Sequence, residues 1–216
     1  LRLGVLPSIK DRERYQRYSD YYADRWHSNG VSQMARLMTA ANPQVDIYGY
    51  RFDWDETPDS WPVDLPELVG AGHGLEVSFV FNDFAGGLRL PFLYGEDSKP
   101  GRDALSAAMM NYWGRFAHND APGQGLLQQQ PEWTAWQQSG DNIMVLDSPA
   151  GGGWRMEHYY PTPEATMQRI ESDAAISSQK ERCKLFVESF LLSYHSSDFW
   201  DPQRYLRLNG GGCAEY

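Results

Sequence analysis

The sequence predicts an α/β fold, with mostly parallel sheet strands and flanking helices, and three observations lead to it. The stretch from Val45 to Trp54 is apolar on both parities and rich in aromatic and β-branched residues, the pattern of a central strand covered on both faces. Leu105, Ala108, Met109, Tyr112, Trp113 and Phe116 recur at i, i+3, i+4, i+7, i+8 and i+11, which is one face of a helix. Ile143 to Leu146 then reads as a short buried strand. The order strand, long loop, helix, strand favours a right-handed crossover between parallel strands.

The remaining elements follow in order. Tyr15, Tyr18, Tyr22 and Trp26 recur at helical spacing, as do Val31, Met34, Ala35 and Met38, until Asn42-Pro43 stops the pattern. These are two helices with a core face. Pro58, Pro62 and Pro66 keep the segment from Pro58 to Leu68 irregular and restrict its conformations. Pro149 to Gly153 marks an exposed turn or hairpin leading to Trp154 and Met156. Cys183, Phe186, Val187, Phe190, Leu191 and Tyr194 form a second helical stripe, expected to pack on the sheet. The Gly210 to Gly212 tail is expected to be mobile.

Composition limits the functions available. A chain of 216 residues can form one domain that buries very roughly 70% of its unfolded surface. A formal charge of -10 and a pI near 4.9, with no run of Lys and Arg, argue against nucleic acid as a partner. No apolar stretch reaches the roughly 18 residues of a membrane span. Two cysteines, Cys183 and Cys213, do not define a disulfide framework, and either one bridge or two free thiols fits them.

The residue that points to chemistry is His73. In Val69-Gly70-Ala71-Gly72-His73-Gly74-Leu75-Glu76 the flanking glycines allow sharp bends and leave the imidazole room to face a pocket. An imidazole with an ordinary pKa of about 6.5 suits a general base near neutral pH. On the predicted sheet it lies on the loop leaving a strand's carboxyl end, where open α/β sheets bind ligands. No Gly-x-Ser-x-Gly elbow occurs between Leu1 and Tyr216, so the base lacks an evident nucleophile.

Three blocks carry a resemblance: Tyr48 to Glu56, Gly70 to Glu76 with Phe79 to Phe81, and Met109 to Phe116. In this order they resemble the C-terminal portion of the type B carboxylesterase and cholinesterase family. Pro131 to Trp136 and Asn142 to Asp147 extend the likeness, which is good over about residues 15 to 150 and weak beyond Asp147. The resemblance implies an α/β-hydrolase fold, a small-molecule ester substrate, no cofactor and no metal. It also implies that His73 is the catalytic base of a triad whose serine and glutamate lie upstream of this block. The chain, which opens at Leu1, is therefore expected to be the C-terminal fragment of one carboxylesterase-type domain, inactive without its N-terminal half. Secreted, periplasmic and cytoplasmic locations are all compatible with it.

The resemblance also bears on the cysteines. Cholinesterase-like proteins often carry a cysteine in a helix resembling Gln179 to Phe190, with a partner ahead of the histidine block, where this chain has none; an oxidised Cys183 would have to pair with Cys213. Glu76 is expected to be a buried carboxylate bonded to backbone or water rather than a metal ligand, because no second histidine stands near it. Phe79, Phe81, Phe84 and Phe92 could line an ester pocket, with core packing favoured for at least two of them, and for Tyr112 and Trp113. His27, His118, His158 and His195 have no motif around them. The competing reading is a non-catalytic esterase-like protein that uses the fold to bind protein partners.

Overall fold

The computed structural model describes residues 9–59, 63–85, 90–191 and 199–215, which form two units. The unit containing residues 42–159 is built on a three-stranded sheet: β1 (Gly49–Phe52), β2 (Ile143–Leu146) and β3 (Trp154–Glu157), in the order β1-β2-β3. β1 runs parallel to β2, in register from Gly49 opposite Ile143 to Phe52 opposite Leu146, and β3 is antiparallel to β2. The sheet is thus mixed, with one parallel pair.

The first strand is shorter than its apolar pattern suggests. The Val45 N–H bonds to the Asn42 carbonyl (3.1 Å) and the Ile47 carbonyl accepts from the Trp136 N–H (2.6 Å), so the backbone ahead of Gly49 is already committed. β1 is half-buried and, among the described residues, is an edge strand. The middle position falls to β2, all four of whose residues are buried. An apolar run records a need for burial and does not say which neighbours supply it, which is why the pattern of Val45 to Trp54 reads as central.

Between β1 and β2 lie α3 (Leu65–Val69), α4 (Glu76–Phe81) and α5 (Lys99–Asn119). Asp64 caps α3, its carboxylate accepting from the Glu67 N–H (3.1 Å), so the proline segment is not irregular throughout; Pro62 lies outside the described residues. Pro66 stands in the first turn of α3, where a missing N–H costs nothing. On α5, Leu105, Ala108, Met109 and Tyr112 are buried and Trp113 is half-buried as expected, whereas Phe116 at the far end of the stripe is exposed. Leu105, Met109 and Tyr112 join Trp54, Phe79, Trp133, Met144 and Leu146 in one aromatic core, with Trp113 packed against it.

The turn from β2 to β3 is the hairpin read from Pro149 to Gly153. The Ser148 carbonyl accepts from the N–H groups of Gly151 (3.0 Å) and Gly153 (2.8 Å). A Cβ at Gly151 would run into the Asp147 carboxylate, and Gly152 and Gly153 have φ of 112° and 70°.

The second unit, residues 11–41 with those from 160 on, is helical. α1 (Arg12–His27) runs through a π turn (Ser28–Ser32) into α2 (Gln33–Ala41), and α6 (Pro163–Ser172), α7 (Gln179–Phe190) and α8 (Pro202–Arg207) follow. Asp11, Thr162, Ser178 and Asp201 each cap a helix by accepting a backbone N–H three residues on. Tyr21, Met167, Ile170, Cys183, Leu185, Phe186 and Phe190 form its core. The N-terminal stripe is only partly buried: Trp26 is 57% exposed, Met34 and Met38 are exposed, and Ala35 is the buried residue of α2. Periodicity shows which residues share a face without showing that anything covers it.

Two expectations for the C-terminal region are corrected. The buried face of α7 is filled by α1, α6 and the C-terminal 3-10 turn of its own unit rather than by the sheet; Leu191 is exposed, and Tyr194 lies outside the described residues. The glycine tail is held: Cys183 and Cys213 are disulfide-bonded, with Cα atoms 5.5 Å apart, and 3-10 turns flank Gly211. Closing a loop of 30 residues restricts the unfolded chain by about 3.6 kcal/mol. Cys213→Ser, or reduction in native buffer, is expected to lower the melting temperature; an unchanged melting curve would show that the bridge contributes nothing.

Candidate active site

His73 stands on the turn between α3 and α4, exposed at its surface. The turn is built by its glycines. α3 ends where the Gly70 N–H bonds to the Pro66 carbonyl (2.9 Å), with Gly70 at φ 52°, ψ −149°. A Cβ at Gly72 would lie 3.3 Å from both the Val69 carbonyl oxygen and its side chain, and Gly74 has φ 88°. The Gly72 carbonyl then accepts from the Leu75 N–H (3.2 Å) and the Gly74 carbonyl from Val77 (3.3 Å), starting α4 directly after the histidine.

α4 anchors this turn. Phe79 is fully buried, its ring 5.1 Å from Phe52, 5.0 Å from Trp54 and 5.0 Å from Phe84. The Ser106 hydroxyl of α5 donates to the Phe79 carbonyl (2.7 Å), and the helix ends with Asn82 in the left-handed region. His73 therefore sits on an exposed turn that is fixed to a packed core.

The other candidates separate. Phe79 and Phe84 belong to the core, while Phe81, 74% exposed, and Phe92 face away from it. Tyr112 and Trp113 are core residues, and the Tyr112 hydroxyl donates to the Pro131 carbonyl (2.7 Å). Glu76 is half-buried rather than fully enclosed, and its charge helps burial raise the pKa of Tyr50. Among the described residues no group of three or more His, Cys, Asp and Glu could hold a metal ion. His27 is buried with its Nδ1 3.2 Å from the Ser32 hydroxyl, His158 pairs its Nδ1 with the Gly140 carbonyl (2.5 Å), and His195 lies outside the described residues.

A feature with no motif is the acidic group beyond the carboxyl ends of β1 and β2: Asp53, Asp55, Glu56 and Asp147. Glu56 accepts a hydrogen bond from the buried Ser148 hydroxyl, tying the loop after β1 to the turn after β2. Asp53 is held by Arg51 (2.7 and 2.6 Å). Burial first, then the like charges around them, raise the pKa of both Asp55 and Asp147. The folded state thus holds these protons more tightly than the unfolded chain. The stability they confer is complete below the ordinary Asp value and is lost as the pH rises through the shifted values. Asp147→Asn is expected to flatten that fall above the ordinary Asp value in thermal melts, and a parallel pair of curves would refute the assignment.

With this geometry in place, comparison with known proteins identifies the relationship. The sequence profile of the Carboxylesterase family matches residues 6–166, well over half the chain. The chain belongs to the carboxylesterase family. The match runs further at both ends than the residues that first suggested it, and it includes His73. Among relatives, cocaine esterase of Homo sapiens is 31% identical over 137 residues, which is 62% of this chain and 22% of that protein. The medium-chain fatty acyl-CoA hydrolase precursor of Anas platyrhynchos is 37% identical over 89 residues, 41% of this chain and 14% of that one. Acetylcholinesterase of Electrophorus electricus is 31% identical over 97 residues, covering 45% and 13%. This carboxylesterase-family chain spans less than a quarter of the length of the relatives it matches. No solved structure matches it. Membership implies the α/β-hydrolase fold, and no described helix is long and apolar enough to cross a membrane.

Proposed function

We propose that this chain forms part of a serine-dependent carboxylic ester hydrolase and supplies His73 as the general base of its triad. The chain is the C-terminal part of one α/β-hydrolase domain whose mostly parallel sheet is completed by an N-terminal half. That half carries the serine and the carboxylate. The observation that supports this reading is the placement of His73: exposed on a glycine-built turn, following β1, inside the stretch matched by the carboxylesterase profile.

In the complete site the serine hydroxyl attacks an ester carbonyl while the His73 imidazole takes its proton. The tetrahedral oxyanion is held by backbone N–H groups near the serine. His73 then protonates the departing alkoxide, leaving an acyl-enzyme. A water molecule, deprotonated by the same imidazole, releases the acid. The carboxylate fixes the tautomer and steadies the imidazolium. The substrate hydrolysed is a small-molecule ester, and no cofactor enters these steps.

The test uses the 216-residue chain alone. It is expected to show no saturable hydrolysis of p-nitrophenyl butyrate, since two triad members are absent. Turnover abolished by His73→Ala would demonstrate a nucleophile within the chain and overturn the reading. Sequencing the parent upstream separates the two classes of function: a Gly-x-Ser-x-Gly elbow goes with a hydrolase, and its replacement goes with a protein that only binds partners.

A further inference from the structure

We propose that Ser106 of α5 is a positioning residue for His73: its hydroxyl fixes α4 along that helix's own axis, and α4 carries the histidine turn. The role rests on the reading of His73 as a general base.

α4 cannot hold the histidine in place by itself. Isolated helices shorter than about 12 residues are marginal in water, and this one has six. It grows directly out of the histidine turn, where the Gly72 and Gly74 carbonyls accept from the Leu75 and Val77 N–H groups. Leu75, the residue before its first turn, offers no capping oxygen. The position of His73 is therefore set by what grips the rest of α4.

Two contacts do so, and they fix different things. The buried Phe79 ring packs against Phe52, Trp54 and Phe84. Apolar packing is non-directional, so it holds α4 down without fixing its register. The Ser106 hydroxyl supplies the directional contact. It donates to the Phe79 carbonyl at 2.7 Å, with the Asn82 Oδ1 3.3 Å away. Both acceptors lie at the end of α4, which Asn82 terminates in the left-handed region.

This bond is not the one a serine inside a helix ordinarily makes, which returns to the carbonyl four residues earlier. Ser106 instead reaches a carbonyl 27 residues away in sequence. Its own place is firm: it is fully buried, in the same 21-residue helix as the fully buried Leu105, Met109 and Tyr112. α5 is a platform, and Ser106 is a polar link from it to α4.

Proton transfer is sensitive to such a link. Reacting groups need placement to within about 0.5 Å, and a shift of about 1 Å costs about 100-fold in rate. Without the hydroxyl, the Phe79 carbonyl keeps the Asn82 N–H at 3.4 Å, so α4 persists while its placement relaxes.

In the full-length parent, Ser106→Ala is expected to lower kcat for p-nitrophenyl butyrate by about 10- to 100-fold with KM nearly unchanged. Ser106→Cys, which retains a weak donor, should fall between, and it carries the comparison if the alanine variant does not fold. Cys213→Ser, a destabilising change in the other unit, should leave kcat as it was. In the 216-residue chain, carbon-13 spectra of labelled histidines should show the His73 signal shifted or broadened by Ser106→Ala. The signal of His158, bonded to the Gly140 carbonyl, should stay in place. An unmoved His73 signal, an unchanged kcat, or an equal loss of kcat in Cys213→Ser would each overturn the proposal. A normal rate for His73→Ala in the same parent would instead remove the general-base reading, and the His73 spectrum would still decide whether Ser106 holds the turn.

Discussion

Replacing His73 by alanine in a full-length parent enzyme is expected to lower kcat by about a million-fold, the scale on which a triad histidine acts. The size of the loss follows from its mechanism. In the proposed mechanism, loss of the imidazole leaves nothing to remove the serine proton during attack or to protonate the leaving alkoxide, while oxyanion and substrate contacts survive. KM should therefore change little. The structure makes the experiment clean, because His73 is exposed and does not belong to the buried core, so the circular dichroism spectrum and melting temperature should match the wild type. Added imidazole should restore part of the rate to the alanine variant, which would not follow if the residue only shaped the turn. A near-normal kcat for p-nitrophenyl butyrate would remove His73 from the mechanism.

The largest stability loss is expected at Arg182, which no motif marks. Arg182 is 7% exposed, and its guanidinium donates to four backbone carbonyls: Ile170, Glu171 (3.0 Å), Asp173 (2.9 Å) and Ile176 (2.7 Å). These lie at the end of α6 and in the connection to α7, where helix carbonyls lack partners of their own. Arg182→Met keeps much of the volume but leaves buried acceptors unpaired, at a cost of about 4 kcal/mol. For a chain of this size that lowers the melting temperature by roughly 10 °C. Arg182→Lys should recover only part, since one ammonium cannot reach four carbonyls spread across a planar fork. A melting temperature for Arg182→Met equal to the wild type would show that these bonds are replaced by water at no cost.

Arg182 also illustrates what sequence reading misses. On α7 it occupies an ordinary helical position, and nothing local indicates that its target carbonyls come from another segment. The pairing of Glu56 with Ser148 is hidden in the same way, because the two residues meet only when β1 and β2 align in parallel. Thr57 reads as a loop residue until its hydroxyl is seen to be buried. Each of these depends on contacts between distant parts of the chain.

The amino-acid sequence by itself determined the family and the main elements: β2, α5, α7, the hairpin after Asp147 and the order that makes β1 and β2 parallel. It could do so because glycine flanks and 3.6-residue or short apolar runs are local consequences of backbone sterics and solvent exposure. Only the tertiary structure decided which strand lies in the middle of the described sheet, which helix faces are covered, and that Cys183 holds Cys213. Those outcomes depend on what packs against each face, and an apolar pattern specifies a need for burial without naming the neighbour that provides it.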